Sequence, residues 1–95
     1  MKGSTLAEFI NDLRTMGGPE KEFTFRGKRY FLETTFHEDT QMSEMYIFEI
    51  RDNNPLIARF FGKDFDECTD KFEEAKIFDG KTIYDVEDEI EVLFG

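Results

Sequence analysis

The side chains in this sequence that could carry out chemistry are one histidine, one cysteine and many carboxylates. His37 precedes Glu38 and Asp39, which are donor types for a metal site or an acid–base pair. A zinc site, however, needs more histidine or cysteine ligands than this segment supplies. The only cysteine, Cys68, falls on a predicted buried stripe of a helix, so we predict a small core side chain there and not a nucleophile.

The segment Gly80-Lys81-Thr82 is similar to the end of a phosphate-binding loop, which needs another glycine five residues earlier. Ala75 occupies that position. A pair of carboxylates could act as an acid–base dyad, but a chain of 95 residues with tight turns leaves little material for a substrate cleft. We therefore predict that the protein is not an enzyme and has no catalytic residue, metal site or cofactor.

The carboxylates are concentrated in the last third of the chain. Residues 64–95 contain 12 acids and three bases, whereas residues 1–63 contain ten acids and nine bases. The formal net charge of −10 should repel nucleic acid and anionic lipid, so we expect no direct binding to either and a basic partner instead.

Two interpretations of these acids remain open: a solubilising surface, and a surface that resembles a phosphate backbone. Carboxylates at i and i+4 of a helix lie about 6 Å apart, close to two steps of about 3.4 Å along a DNA strand. Such a row could block a groove of lysines and arginines that normally holds nucleic acid. The candidate partner-binding residues are Asp66, Glu67, Asp70, Glu73, Glu74, Asp85, Glu87, Asp88, Glu89 and Glu91.

The length and composition are those of one domain spanning residues 1–95. The 12 phenylalanines go far toward filling a core. A single cysteine cannot form a disulfide within the chain, and no segment is typical of a signal peptide or a membrane span. These features favour a cytoplasmic protein.

The first elements are predicted to be a helix and a hairpin. Thr5 and Glu8 have capping-box spacing, and apolar residues recur on one helical face until Gly17 and Pro19. Gly27-Lys28 suits a two-residue turn, which would place Phe23 and Phe25 with Tyr30 and Leu32 on one face of a hairpin. Residues 37–44 are polar and are predicted to form a loop.

Residues 45–51 and 56–61 are predicted to form a second hairpin in which Ile50 faces Leu56. That register leaves Met45, Ile47, Ile57 and Phe61 on a face of their own. Because both faces would then be partly apolar, each needs cover from helices or from a partner chain. These four residues are an alternative, apolar interface for assembly, including a homodimer.

The acidic segment is predicted to form two helices. Phe65, Cys68, Phe72 and Ala75 repeat at helical spacing, and Ile83, Val86 and Ile90 mark the buried side of a shorter helix that begins near Thr82. Residues 92–94 could add a final strand or tail. The predicted fold is α+β: a four-stranded antiparallel sheet of two hairpins with an N-terminal helix and two C-terminal acidic helices.

Three short motifs carry a resemblance: the segment from Phe23 to Tyr30 (FTFRGKRY), Asp79-Gly80-Lys81-Thr82-Ile83, and Asp88 to Val92 (DEIEV). In them the chain resembles short uncharacterised proteins of Gram-positive bacteria, their phages and mobile elements. The resemblance implies a fold and a genomic setting. By analogy of size, charge and setting, it also suggests the acidic anti-CRISPR and anti-restriction inhibitors that phages encode, some of which look like DNA to their targets.

Two functional hypotheses follow. The first is a non-enzymatic inhibitor or interaction protein that presents a nucleic-acid-mimicking acidic surface to a basic, DNA- or RNA-binding partner, as a phage counter-defence protein would. The second is an assembly module that uses the apolar sheet face, with the acids serving only solubility.

Overall fold

The computed structural model describes all residues from Met1 to Gly95. Two helices and five strands follow in this order: α1 Leu6–Thr15, β1 Lys21–Phe25, β2 Lys28–His37, β3 Met42–Glu49, β4 Leu56–Gly62, α2 Phe65–Glu74 and β5 Ile90–Phe94. The strands form one antiparallel sheet in the order β4-β3-β2-β1-β5. The α+β class is confirmed, whereas the predicted four-stranded sheet with two C-terminal helices is wrong.

Helix α1 begins at the predicted cap. The Thr5 hydroxyl accepts a hydrogen bond from the Glu8 backbone N–H at 3.1 Å, which satisfies one of the free donors of the first turn. The buried side of α1 consists of Leu6, Phe9, Ile10 and Leu13. This apolar stripe packs α1 onto the sheet, with the Phe9 and Phe23 rings in edge-to-face contact at 6.0 Å.

The first hairpin turns one residue earlier than predicted. Arg26 and Gly27 both have positive φ, at 48° and 79°, as the two central residues of a type I′ turn require. Phe25 therefore faces Lys28, and Phe23 faces Tyr30. The pairing differs from the predicted register by two residues, so the apolar side chains still share one face.

The second hairpin corrects the predicted register of β3 and β4. Met45 faces Phe60 and Ile47 faces Ala58, and a β-bulge follows at Ile47/Phe48. Because the register differs from the prediction by an odd number of residues, Met45 and Ile47 point into the core, where they are buried. Along β4, Ile57 and Phe61 alternate with the core-facing Ala58 and Phe60 and lie on the opposite face, so the four residues of the predicted apolar interface do not lie together.

The predicted polar loop at residues 37–44 is also wrong in extent. Strand β2 continues to His37 and β3 begins at Met42, so only residues 38–41 connect them. Gln41 has a φ of 57° in this turn. Cross-strand pairing therefore gives several polar residues of the predicted loop a place in the sheet.

The second predicted C-terminal helix is replaced by turns, a short 3₁₀ turn at Glu87–Glu89 and strand β5. Ile83, Val86 and Ile90 are buried as their spacing predicts, but separate turns and not one helix deliver them to the core. Pairing with β5 gives hydrogen-bond partners to the backbone N–H and C=O groups on the otherwise free edge of β1. A helix here would also have placed acids at its C-terminal end, which its dipole disfavours.

The outer edge of β5 is covered by the N-terminal residues. Lys2 forms an isolated parallel bridge in which its N–H donates to the Ile90 carbonyl at 2.9 Å and its carbonyl accepts from Val92 N–H at 2.8 Å. Gly3 has a φ of 80°, and a Cβ there would collide with the Val92 carbonyl oxygen. The close approach of these two segments therefore requires glycine.

Both helices lie on one face of the sheet and the other face is left uncovered. The core between helices and sheet includes edge-to-face contacts of Phe72 with Phe60 and of Phe78 with Phe25. Neither helix combines the length and the apolar character that crossing a membrane requires.

Candidate partner-binding surfaces

Helix α2 carries half of the predicted partner-binding acids. It begins because Asp64 caps it, accepting a hydrogen bond from Glu67 N–H at 2.8 Å, and because Cys68 and Phe72 bury one side against the sheet. The side of α2 that faces α1 carries Asp66, Asp70 and Glu73, spaced one turn apart.

These three carboxylates converge on one base of α1. Arg14 Nη1 lies 2.6 Å from Asp66 Oδ1 and 2.8 Å from Asp70 Oδ1, and Arg14 Nη2 contacts Glu73 Oε1. The hydrogen bond to Asp66 is the largest of the influences that raise the pKa of Arg14. One guanidinium cannot neutralise three carboxylates, so the group retains a negative excess.

Tyr84 joins this group from the C-terminal segment, since its hydroxyl donates to Glu73 Oε2. That hydrogen bond raises the pKa of Tyr84. We call Arg14, Asp66, Asp70, Glu73 and Tyr84 the acidic cluster. It borders a shallow groove of about 540 Å³ with an apolar floor from α1; the groove is lined by Leu6, Ala7, Ile10, Asn11, Arg14, Tyr84 and Glu87.

Glu89 and its neighbour in space, Asp79, lie at the tip of the first hairpin. Arg26 Nε lies 2.8 Å from Glu89 Oε1, and Arg26 Nη1 lies 2.9 Å from Asp79 Oδ2. The hydrogen bond from Arg26 lowers the pKa of Glu89. Here too one base faces two acids, which leaves a negative excess on a different part of the surface.

The other predicted acids are dispersed. The Asp85 carboxylate accepts from both the N–H and the hydroxyl of Thr82 at 3.1 Å, and these bonds lower the pKa of Asp85. Glu67 Oε1 accepts from Lys63 N–H at 3.2 Å. Glu91 faces Thr24 on the uncovered side of the sheet. Three exposed acids, Glu74, Glu87 and Asp88, have no ion pair or side-chain hydrogen bond.

A row of aromatic rings crosses the uncovered face of the sheet. The Phe31 ring lies 5.8 Å from that of Phe48 and 6.4 Å from that of Phe94, and the Phe48 ring lies 6.4 Å from that of Tyr46. Interplanar angles of 20–25° make each contact a stacked one. We call Phe94, Phe31, Phe48 and Tyr46 the aromatic row.

The aromatic row was not predicted, because it depends on register. Phe31 directly faces Phe48 on the neighbouring strand, and Glu22 lies between Phe31 and Phe94 in the same line across the sheet. The available signal was the run Tyr30-Phe31-Leu32, in which a strand must place aromatic or aliphatic side chains on both faces.

His37 lies in a second polar group that was not predicted. His37 Nε2 is 2.7 Å from Glu44 Oε1, and Arg59 Nε is 2.5 Å from Glu44 Oε2. Glu44 is 5% exposed, so contacts with these two side chains replace most of the hydration that its carboxylate loses on burial. No group of three or more histidine, cysteine or acidic side chains is arranged to hold a metal ion.

Comparison of the chain with protein-family models, with curated proteins and with solved structures gave no match.

Proposed function

We propose that the protein is a non-enzymatic binding protein whose acid-rich helical side engages a basic partner of the nucleic-acid-binding class. The observation that supports this most is the negative excess around Arg14. Three carboxylates share that single base, and no second lysine or arginine joins them. A surface built only for solubility has no need to fix carboxylates side by side, because their mutual repulsion destabilises the fold.

Charge, and not the spacing along α2, supports the proposal. Asp66 and Asp70 have the i, i+4 spacing of a phosphate row, but both turn toward Arg14. Among the predicted acids outside the strands, Glu74, Glu87 and Asp88 are exposed and unpaired, and they are therefore the ones available to a partner. Their exposed carboxylates can form ion pairs without breaking existing ones.

The resemblance to phage and mobile-element proteins gives this activity a setting. A small acidic protein that occupies a cationic groove prevents nucleic acid from entering it, as a counter-defence inhibitor would. The partner classes that fit are cytoplasmic proteins that hold DNA or RNA in a groove of lysines and arginines.

Reversal of unpaired charges tests the proposal. The triple variant Glu74→Lys, Glu87→Lys, Asp88→Lys should weaken binding of a fluorescent octalysine peptide by about tenfold at 50 mM salt, and the effect should shrink at 500 mM. The wild-type protein should also release a labelled DNA duplex from octalysine. The control is Glu20→Lys, Glu38→Lys, Asp52→Lys, which makes the same change in net charge with exposed loop acids.

Equal weakening by the two triple variants would show that only net charge matters, and the proposed surface would then be wrong. Circular dichroism of both variants checks that each is folded. None of the six acids takes part in an ion pair or a side-chain hydrogen bond, so reversal should leave the fold intact.

A further inference from the structure

The uncovered face of the sheet combines exposed aromatic rings with carboxylates. Phe94 is 56% exposed and Phe61 40% exposed, and the strand residues on this face include four glutamates: Glu22, Glu33, Glu44 and Glu91. No lysine of a strand lies on it, and its two strand arginines, Arg29 and Arg59, pair with Glu22 and Glu44. Exposed contiguous apolar surface of this kind is typical of an interaction site.

The protein itself shows which cation this face can hold. Arg59 lies over the Phe61 ring, 5.7 Å from its centroid, while its Nε contacts the Glu44 carboxylate. At the hairpin tip, Arg26 lies 5.0 Å from the Phe25 ring centroid while it binds Glu89. In both places a guanidinium stacks on phenylalanine and pairs with glutamate at the same time.

The aromatic row repeats this combination only in part: Arg29 pairs with Glu22 beside Phe31, whereas two other carboxylates of this face have no arginine. Glu33 Oε2 accepts from the Tyr46 hydroxyl at 2.5 Å and has no basic partner. Glu91, on the same face, has none either. Rings and unpaired carboxylates therefore lie together where a cation from another molecule can reach both.

We infer that the aromatic row binds arginine side chains of a basic protein partner, which stack on its rings and pair with Glu33 and Glu91. The inference rests on the proposed function, since it concerns the same basic partner, but it assigns a different surface and a specific side chain. Charge complementarity favours this occupant: nucleic acid and a second copy of the chain are both negative, and the protein carries −10.

Arginine and lysine peptides of equal charge separate stacking from simple attraction. Fluorescent octa-arginine should bind the wild-type protein about tenfold more tightly than octalysine, because guanidinium stacks on aromatic rings and ammonium is more strongly hydrated. The variants Phe48→Thr and Phe94→Thr should bring this ratio close to one. Phe94 is exposed at the sheet edge, so its variant remains informative if Phe48→Thr fails to fold.

Phe36→Thr is the matched control. Phe36 is 46% exposed on β2 but lies on the opposite face of the strand from Phe31, so its replacement should leave the ratio unchanged. A wild-type ratio near one, or an equal fall in the Phe36→Thr control, would overturn the inference.

The two alternative occupants have their own measurements. If the protein binds an octauridine strand more tightly than either peptide, and Phe48→Thr abolishes that binding, the aromatic row binds single-stranded nucleic acid. If the protein sediments as a dimer at 500 mM salt, and Phe48→Thr dissociates that dimer, the aromatic row binds a second copy of the chain. Either result would overturn the inference.

Failure of this inference is distinguishable from failure of the proposed function. If the Glu74, Glu87 and Asp88 reversals weaken octalysine binding while the arginine-to-lysine ratio is one, the acid-rich surface stands and the aromatic row is excluded. If those reversals have no more effect than their control, while the arginine-to-lysine ratio stays high and depends on Phe48, the aromatic row stands and the acid-rich surface is excluded.

Discussion

The ammonium group of Lys21 lies 2.7 Å from Asp12 Oδ2 and joins β1 to α1 inside the protein. The lysine side chain is 2% exposed. It also donates to the Gly95 carbonyl at 2.7 Å and lies 5.4 Å from the Phe9 ring centroid. A buried ammonium needs such partners, because burial removes its hydration.

We expect Asp12→Ala to lower the free energy of unfolding by about 3 kcal/mol, since it removes the only side chain that pairs with the buried ammonium. Lys21→Met should cost less, about 1 kcal/mol, because the stem is retained and Asp12 stays partly hydrated. Urea unfolding measures both. The double variant Asp12→Ala, Lys21→Met should lose as little stability as Lys21→Met alone. If the double variant loses as much as Asp12→Ala, the unpaired buried charge is not the cause of the loss.

Arg14 holds three carboxylates of the acidic cluster together, because its positive charge offsets their mutual repulsion. We expect Arg14→Ala to lower the free energy of unfolding by about 1 to 2 kcal/mol at low salt. The effect is modest because its partners Asp66 and Asp70 are largely exposed, so water screens these ion pairs. The loss should shrink at 0.5 M salt, which screens the repulsion that remains.

Lys28→Ala is the control for that experiment. Lys28 is exposed at the end of the hairpin turn and has no ion pair, so its loss should change stability by less than about 0.5 kcal/mol. Equal effects of the two variants, or an effect of Arg14→Ala that salt does not alter, would show that the cluster is not strained by its own charge.

Tyr46 should make stability fall in alkaline solution. The hydrogen bond to Glu33 raises the pKa of Tyr46 to about 12. Because the folded protein then holds this proton more tightly than the unfolded chain, the stabilisation is complete below the unfolded pKa of about 10 and is lost as pH rises toward 12. Tyr46→Phe should make urea unfolding less dependent on pH between 10 and 11.5. An unchanged slope would contradict this coupling.

Cys68 should react only after unfolding. Its side chain is fully buried, with Sγ 3.6 Å from the carbonyl oxygens of Ser43 and Phe60. Burial raises the pKa of the Cys68 thiol, which outweighs the opposing effect of Lys71. We expect iodoacetamide at pH 8 to label the native protein at least 100-fold more slowly than the protein in 8 M urea, on the order of its opening equilibrium. Rapid native labelling would place the thiol at the surface.

Local signals identified α1, α2 and the first hairpin because each depends on neighbours in sequence. The cap at Thr5 and the stripe of Cys68 and Phe72 need no knowledge of distant residues. The register of β3 against β4 depends on a bulge at Ile47/Phe48, and no residue type in this segment predicts a bulge there. A shift of one residue was enough to exchange the two faces of the hairpin.

The turns that precede β5 were mistaken for a helix for a related reason. Ile83, Val86 and Ile90 have helical spacing, yet that spacing is also produced by consecutive turns over a core. The signal that decides between them is the free edge of β1, about 65 residues away in sequence. The acidic cluster was likewise invisible, because Arg14 meets its three acids only after α1 and α2 pack together.

The pairing of β1 with β5 affects folding during translation. During translation, residues 21–25 leave the ribosome long before residues 90–94, so the nascent sheet exposes an unsatisfied edge until synthesis has passed Phe94. Ribosomes stalled shortly before that point should therefore carry aggregation-prone, protease-sensitive chains, and release of the last strand should complete folding in one step.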